Sequence, residues 1–110
     1  MHLLTRTEEL LLLSVWRLQE KAYGLAVRRN LSELLGRPMS VGAVYIPLER
    51  LVRKGFLVSE ERSPTDKRGG RRKKFYLLSP RGKQALLDVR SLQKEAWSGL
   101  KSLSPAPVTS

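Results

Sequence analysis

The densest chemistry in the chain lies between Arg62 and Lys74, where seven cations (Arg62, Lys67, Arg68, Arg71, Arg72, Lys73 and Lys74) face one anion, Asp66. Charges crowded this closely repel one another unless something negative lies against them, and arginine's planar fork matches the oxygens of a phosphate. The chemistry on offer is capture of a polyanion. Gly69-Gly70 allows a turn with positive φ and Ser63-Pro64-Thr65-Asp66 has ordinary turn composition, so the cations are expected at the tip of a β-ribbon. A merely solvated charged loop is the plain competing reading.

The second stretch with binding chemistry begins at Ser40. Ser40 reads as the N-cap of a helix running to about Lys54, with Val41, Val44, Leu48 and Leu51 spaced by three and four on one side. The other side carries Gly42, Ala43, Ile46, Arg50 and Arg53: small residues that permit close approach and cations that suit phosphate, the profile of a helix laid into a DNA major groove. Pro47 conflicts with this reading. In the second turn it removes an N–H and its ring clashes, at about 3 kcal/mol in a regular helix, so the helix is expected to start late or to bend there.

Catalysis has little to work with. The sequence has no cysteine and one histidine, His2, so it has neither a thiol nucleophile nor a histidine base in a core nor a transition-metal set, and no cofactor is expected. Its acids are scattered beside cations. At 110 residues with a net charge of +11, the chain is one modest domain with a polyanionic partner. No run nears the roughly 18 apolar residues of a membrane span, and the start lacks the pattern of a signal peptide. A cytoplasmic, nucleoid-associated location is therefore expected.

These two stretches need elements to hold them. A first helix is expected from about Thr7 to Leu18, opened by the capping-box spacing of Thr5-Arg6-Thr7-Glu8 and apolar nearly all round from Leu10 onward, which implies neighbours on more than one side. A second runs from Ala22 to a terminal Gly36, with Tyr23, Val27, Leu31 and Leu34 on one face, and Arg37-Pro38-Met39 makes the turn. Strands are expected from Phe56 to Arg62 and from Lys73 to Leu78. Ser79-Pro80 opens a last helix to about Leu103, about 24 residues and about 36 Å long at about 1.5 Å per residue, with Ala85, Val89, Leu92, Ala96, Leu100 and Leu103 in rhythm. Such a helix outreaches its own domain and calls for a partner subunit. The pattern is a mostly α (α+β) winged helix-turn-helix over 1–78, a dimerisation helix over 79–103, and a Pro/Ser tail over 104–110 that is expected to be disordered.

The residues also resemble a known family, the PadR-like transcriptional regulators, in its short subgroup with one C-terminal helix. The likeness lies in Ala22-Tyr23-Gly24, Ser40-Val41-Gly42-Ala43-Val44-Tyr45, Leu48-Glu49-Arg50-Leu51, Lys54-Gly55, Arg68-Gly69-Gly70-Arg71-Arg72-Lys73 and Tyr76-Leu77-Leu78-Ser79-Pro80-Arg81-Gly82, together spanning about Leu10 to Ala96. The resemblance implies a homodimeric repressor of an inverted-repeat operator that releases DNA when a small molecule binds. It implies that Ser40, Gly42, Ala43 and Tyr45 approach DNA, that Arg50 neutralises backbone charge, and that Arg68, Arg71, Arg72 and Lys73, with Lys67 in the same cluster, grip phosphate and minor groove.

It further implies a dimer in which the last helix packs on the partner's first helix, which assigns Leu11, Val15, Val89, Leu92, Ala96, Leu100 and Leu103 to the seam. Trp16 and Trp97 are the candidates for stacking on a small hydrophobic effector there, with ordinary packing as the plainer reading of both rings. The family also tolerates a proline at the position of Pro47. A basic RNA- or ribosome-associated protein is the alternative, but it would more often expose aromatics for base stacking, whereas Phe75 and Tyr76 alternate as in a half-buried strand. A protein-interaction module would share the long helix without needing the cationic cluster.

Overall fold

A computed structural model describes residues 3–63 and 72–102. It contains α1 (Arg6–Leu18), a short 3-10 turn (Gln19–Lys21), α2 (Gly24–Leu35), α3 (Val41–Arg53), β1 (Leu57–Arg62), β2 (Lys73–Leu78) and α4 (Pro80–Trp97). The strands are antiparallel, in register from Leu57 opposite Leu78 to Arg62 opposite Lys73. This is the winged helix-turn-helix that the sequence pattern implied. Among the described residues no helix is long and apolar enough to cross a membrane.

Three helices start where side chains can satisfy their orphan N–H groups. Thr5 and Glu8 form a reciprocal capping box, Thr5 Oγ1 accepting from Glu8 N at 3.1 Å and Glu8 Oε1 from Thr5 N at 2.9 Å. Ser40 Oγ accepts from Ala43 N at 3.1 Å and Ser79 Oγ from Gly82 N at 3.0 Å. Pro47 stands inside α3, which nevertheless runs unbroken from Val41. The helix therefore does not start late; the Ala43 carbonyl goes without its usual i+4 donor.

The core gathers one face of each element: Leu11, Leu12 and Val15 from α1, Val27 and Leu31 from α2, Val44, Leu48 and Leu51 from α3, then Phe56, Leu57, Tyr76 and Ala85. The base of α4 belongs to the same core, because Gly82 lies so close to the Phe56 carbonyl that no Cβ would fit between them.

Four expectations change. Val41 is exposed, since the first three residues of α3 all project beyond the core and Val44 is the first to enter it. Leu34, expected beside Val27 and Leu31, is left outside as well. α2 begins at Gly24 instead of Ala22 because Tyr23 is extended and residues 22 and 23 bond to the sheet: Tyr23 bridges Phe75, and Tyr76 N donates to Ala22 O at 2.9 Å. α4 ends at Trp97, capped by Ser98, with Gly99 at φ +75. Its 18 residues make it about 27 Å long at about 1.5 Å per residue, and Leu100 lies past its end. Leu103 and the 104–110 tail fall outside the described residues.

Candidate nucleic-acid interface

α3 is fixed along its length with one face left open. At its start the turn 36–40 is held by α2: Arg28 Nε donates to Met39 O at 2.7 Å, Met39 N donates to Ser32 Oγ at 3.0 Å, and Ser32 Oγ donates to Arg28 O at 2.8 Å. At its end Lys54 Nζ lies 2.9 Å from Glu8 Oε2, tying the helix to the first turn of α1. Gly55 follows at φ +82, and its carbonyl accepts from Ser79 Oγ at 2.6 Å. Burial works against the Glu8 carboxylate, but the bonds from Lys54 and from the Thr5 backbone outweigh it and hold Glu8 below the usual carboxylate range.

The open face carries Gly42, Ala43, Ile46, Arg50 and Arg53, all exposed, as the helical spacing implied. Near Gly42 the surface is clear: a side chain there would meet only the Ile46 Cδ1 methyl, at 3.8 Å. Ser40 is exposed with its hydroxyl used as the cap. Tyr45 is half-buried, its ring turned toward Gly24 of α2.

The wing stands beside this face. Alternate residues of β2 look opposite ways, so Lys74 reaches Glu49 of α3 while Lys73 rests its ammonium 4.3 Å above the Tyr23 ring. Tyr76 is buried with its hydroxyl unpartnered among the described residues, and burial, with the charges of Glu49 and Tyr45, pushes that phenol up to about 12. Arg62 bonds Glu60 and the Glu20 carbonyl and covers the Phe75 ring at 4.4 Å. Arg72 is exposed. Lys67, Arg68 and Arg71 lie outside the described residues.

Elsewhere α1 and α4 leave a groove of about 480 Å³, lined by Leu13, Trp16, Leu86, Leu87, Lys83 and Arg90 among others. Trp16 is half exposed, with Lys83 Nζ 5.3 Å from its ring; Trp97 is exposed farther along α4 and does not line this groove. Of the expected seam residues, Val89 is half-buried and Leu92, Ala96 and Leu100 are exposed. Leu11 and Val15 need correction: at 0% and 2% exposure they are enclosed by their own protomer's core and have no surface to give a partner. Leu13 and Trp16 carry the exposed apolar surface of α1 instead.

The model of the transcriptional regulator PadR-like family matches residues 12–88. The chain belongs to that family. Among solved structures, a PadR-like transcription factor from Bacteroides fragilis is 25% identical, with 83% of this chain and 85% of that one covered at a TM-score of 0.65. RosR of H. salinarum is 30% identical over 89% of this chain and 81% of its own, also at 0.65. A PadR family transcriptional regulator from Eggerthella lenta is 29% identical over 82% and 76%, at 0.63. Among curated proteins, none matches the chain. As a PadR-like regulator the chain is a DNA-binding protein of transcription and not an enzyme, which removes the ground from the RNA-binding alternative.

The residues that fasten this candidate interface were not given that role by sequence reasoning. Glu8, Glu49, Tyr23 and Phe75 act across long chain separations, 46 residues for Glu8 and Lys54, and Arg28 and Ser32 act across the turn between α2 and α3. One signal was available: the period of two in Lys73-Lys74-Phe75-Tyr76 gives two faces, each needing its own support.

Proposed function

We propose that this PadR-like chain is a homodimeric repressor that reads an inverted-repeat operator on nucleoid DNA in the cytoplasm. Each subunit offers the outer face of α3 to a major groove, with Ser40, Gly42 and Ala43 toward the bases, Tyr45 at the edge of that face with its ring against Gly24, and Arg50 on the backbone. Lys67, Arg68, Arg71, Arg72 and Lys73 grip phosphate from the wing. The observation that carries this reading is the division of α3 into a face sealed by Val44, Leu48 and Leu51 and a face where Gly42, Ala43, Ile46, Arg50 and Arg53 stand clear.

Dimeric helix-turn-helix proteins space two such helices about 34–36 Å apart, one turn of the duplex. The partner rests on half-buried Val89 and the exposed apolar surface of Leu92, Ala96 and Leu100, with Leu103 next in the sequence rhythm, and on Leu13 and Trp16. A small hydrophobic effector at that seam, near Trp16 and Trp97, releases DNA if its affinity differs between two subunit arrangements. Selecting bound duplexes from a random pool, with single strands and structured RNA as competitors, tests the proposal. Two symmetric half-sites spaced by about 10–10.5 base pairs are the expected result; binding without a symmetric target, or by a monomer, overturns it.

A further inference from the structure

The base of the wing is built as a ladder of two rings closed at each end by a cation. Lys73 Nζ sits 4.3 Å above the Tyr23 ring, and Tyr23 meets Phe75 edge to face at 5.7 Å between centroids. Arg62 then covers the far ring at 4.4 Å. Backbone bonds run beneath it: Tyr23 bridges Phe75, and Tyr76 N donates to Ala22 O, so β2 is held by β1 on one edge and by residues 22–23 on the other.

The two cations of the ladder are cross-strand partners. Arg62 and Lys73 are the last register pair of the sheet, the pair from which the arginine-rich tip departs. Arg62 bonds Glu60 of its own strand, covers Phe75 of β2 and donates to the Glu20 carbonyl in the body of the domain. Among the described residues, the support of Lys73 is the Tyr23 ring. An ammonium held over a ring keeps N–H groups free to point outward, so the support that orients it leaves donors for phosphate.

From this we infer that Tyr23 is a positioning residue for DNA binding: its ring fixes Lys73 at the base of the wing, without touching bases itself. The inference rests on the proposed function. It requires the ring of Tyr23 and not its hydroxyl, and it requires Lys73.

The test compares the full-length wild type with Tyr23→Leu, Tyr23→Phe, Lys73→Ala and the double variant Tyr23→Leu/Lys73→Ala. Binding is read by titration on a duplex recovered from the random-pool selection, and the Lys73 side-chain methylenes are followed by NMR without DNA. Tyr23→Leu is expected to weaken binding about three- to tenfold and Tyr23→Phe less than about twofold. In the Lys73→Ala background, Tyr23→Leu loses most of its effect. The Lys73 methylenes shift upfield in the wild type and in Tyr23→Phe and move to ordinary positions in Tyr23→Leu, a signature that loss of stability alone does not produce. Unchanged binding by Tyr23→Leu, independent effects of the two substitutions, or unshifted Lys73 methylenes in the wild type overturn the inference while the proposed function stands. A wild type that selects no duplex overturns both.

Discussion

The Tyr45 ring occupies the space in which a side chain at Gly24 would stand. A methyl group at Gly24 would fall 2.6 Å from Cζ of that ring, so the first residue of α2 and the second turn of α3 approach as closely as backbone and ring allow. Ala22-Tyr23-Gly24 thus serves two contacts at once: Tyr23 packs against the base of the wing and Gly24 receives α3.

Gly24→Ala is therefore expected to displace the Tyr45 ring and to cost about 1–3 kcal/mol of stability through overpacking. Removing the ring removes the clash. Thermal melts of Gly24→Ala, Tyr45→Ala and the double variant should show the double losing clearly less than the sum of the singles.

Glu8 makes acid stability testable. Its folded-state pKa lies below the ordinary 4.5, so its contribution is fully present above that value and is lost as pH falls through the folded value. Glu8→Gln gives up the Lys54 ion pair and weakens the capping box, an expected loss of about 1–2 kcal/mol near neutrality. In denaturant titrations the gap between the two proteins closes as the pH drops below about 4.5.

Tyr76 carries the opposite sign. Its folded value of about 12 stands above the ordinary 10.0, so its contribution is complete below pH 10 and fades as the pH rises toward 12. Tyr76→Phe deletes an unpartnered buried hydroxyl, and its stability at neutral pH is expected within about 1 kcal/mol of wild type or slightly higher. Melting curves between pH 9 and 12 should show a smaller alkaline loss for the variant.

Replacing Arg71 and Arg72 together by Ala should weaken binding to all duplexes and flatten the logarithmic salt dependence by up to about two units of slope. Titrations across a range of salt concentrations check this. An unchanged slope would show that these side chains do not displace counterions from the phosphates.

Leu92 and Leu11 separate assembly from folding. Leu92 is 42% exposed and Leu11 fully buried in the single chain. Leu92→Asp should yield a folded monomer by light scattering, with a circular dichroism spectrum close to wild type. Leu11→Asp buries an unpaired charge and should lose the fold itself.

Much of this architecture is local and was readable in the chain. Thr5, Ser40 and Ser79 announce their helices because a short polar side chain satisfies N–H groups two or three residues on, and that chemistry needs no partner from elsewhere. Both strands follow from alternation, and the open face of α3 from helical spacing. Val41, Leu34 and the length of α4 were misjudged for a common reason: periodicity says which residues share a stripe, but not how far the neighbouring element extends beneath it.

The order of caps, apolar stripes and turn residues was enough by itself to specify a winged helix-turn-helix, because each of those signals acts within a turn or two of backbone. Tertiary structure alone decided that Leu11 and Val15 face inward, that Glu8 holds Lys54, and that Tyr23 lies under Lys73. Those outcomes depend on which surfaces meet when distant segments close on one core, and no local pattern encodes the partner that a side chain finds across the fold.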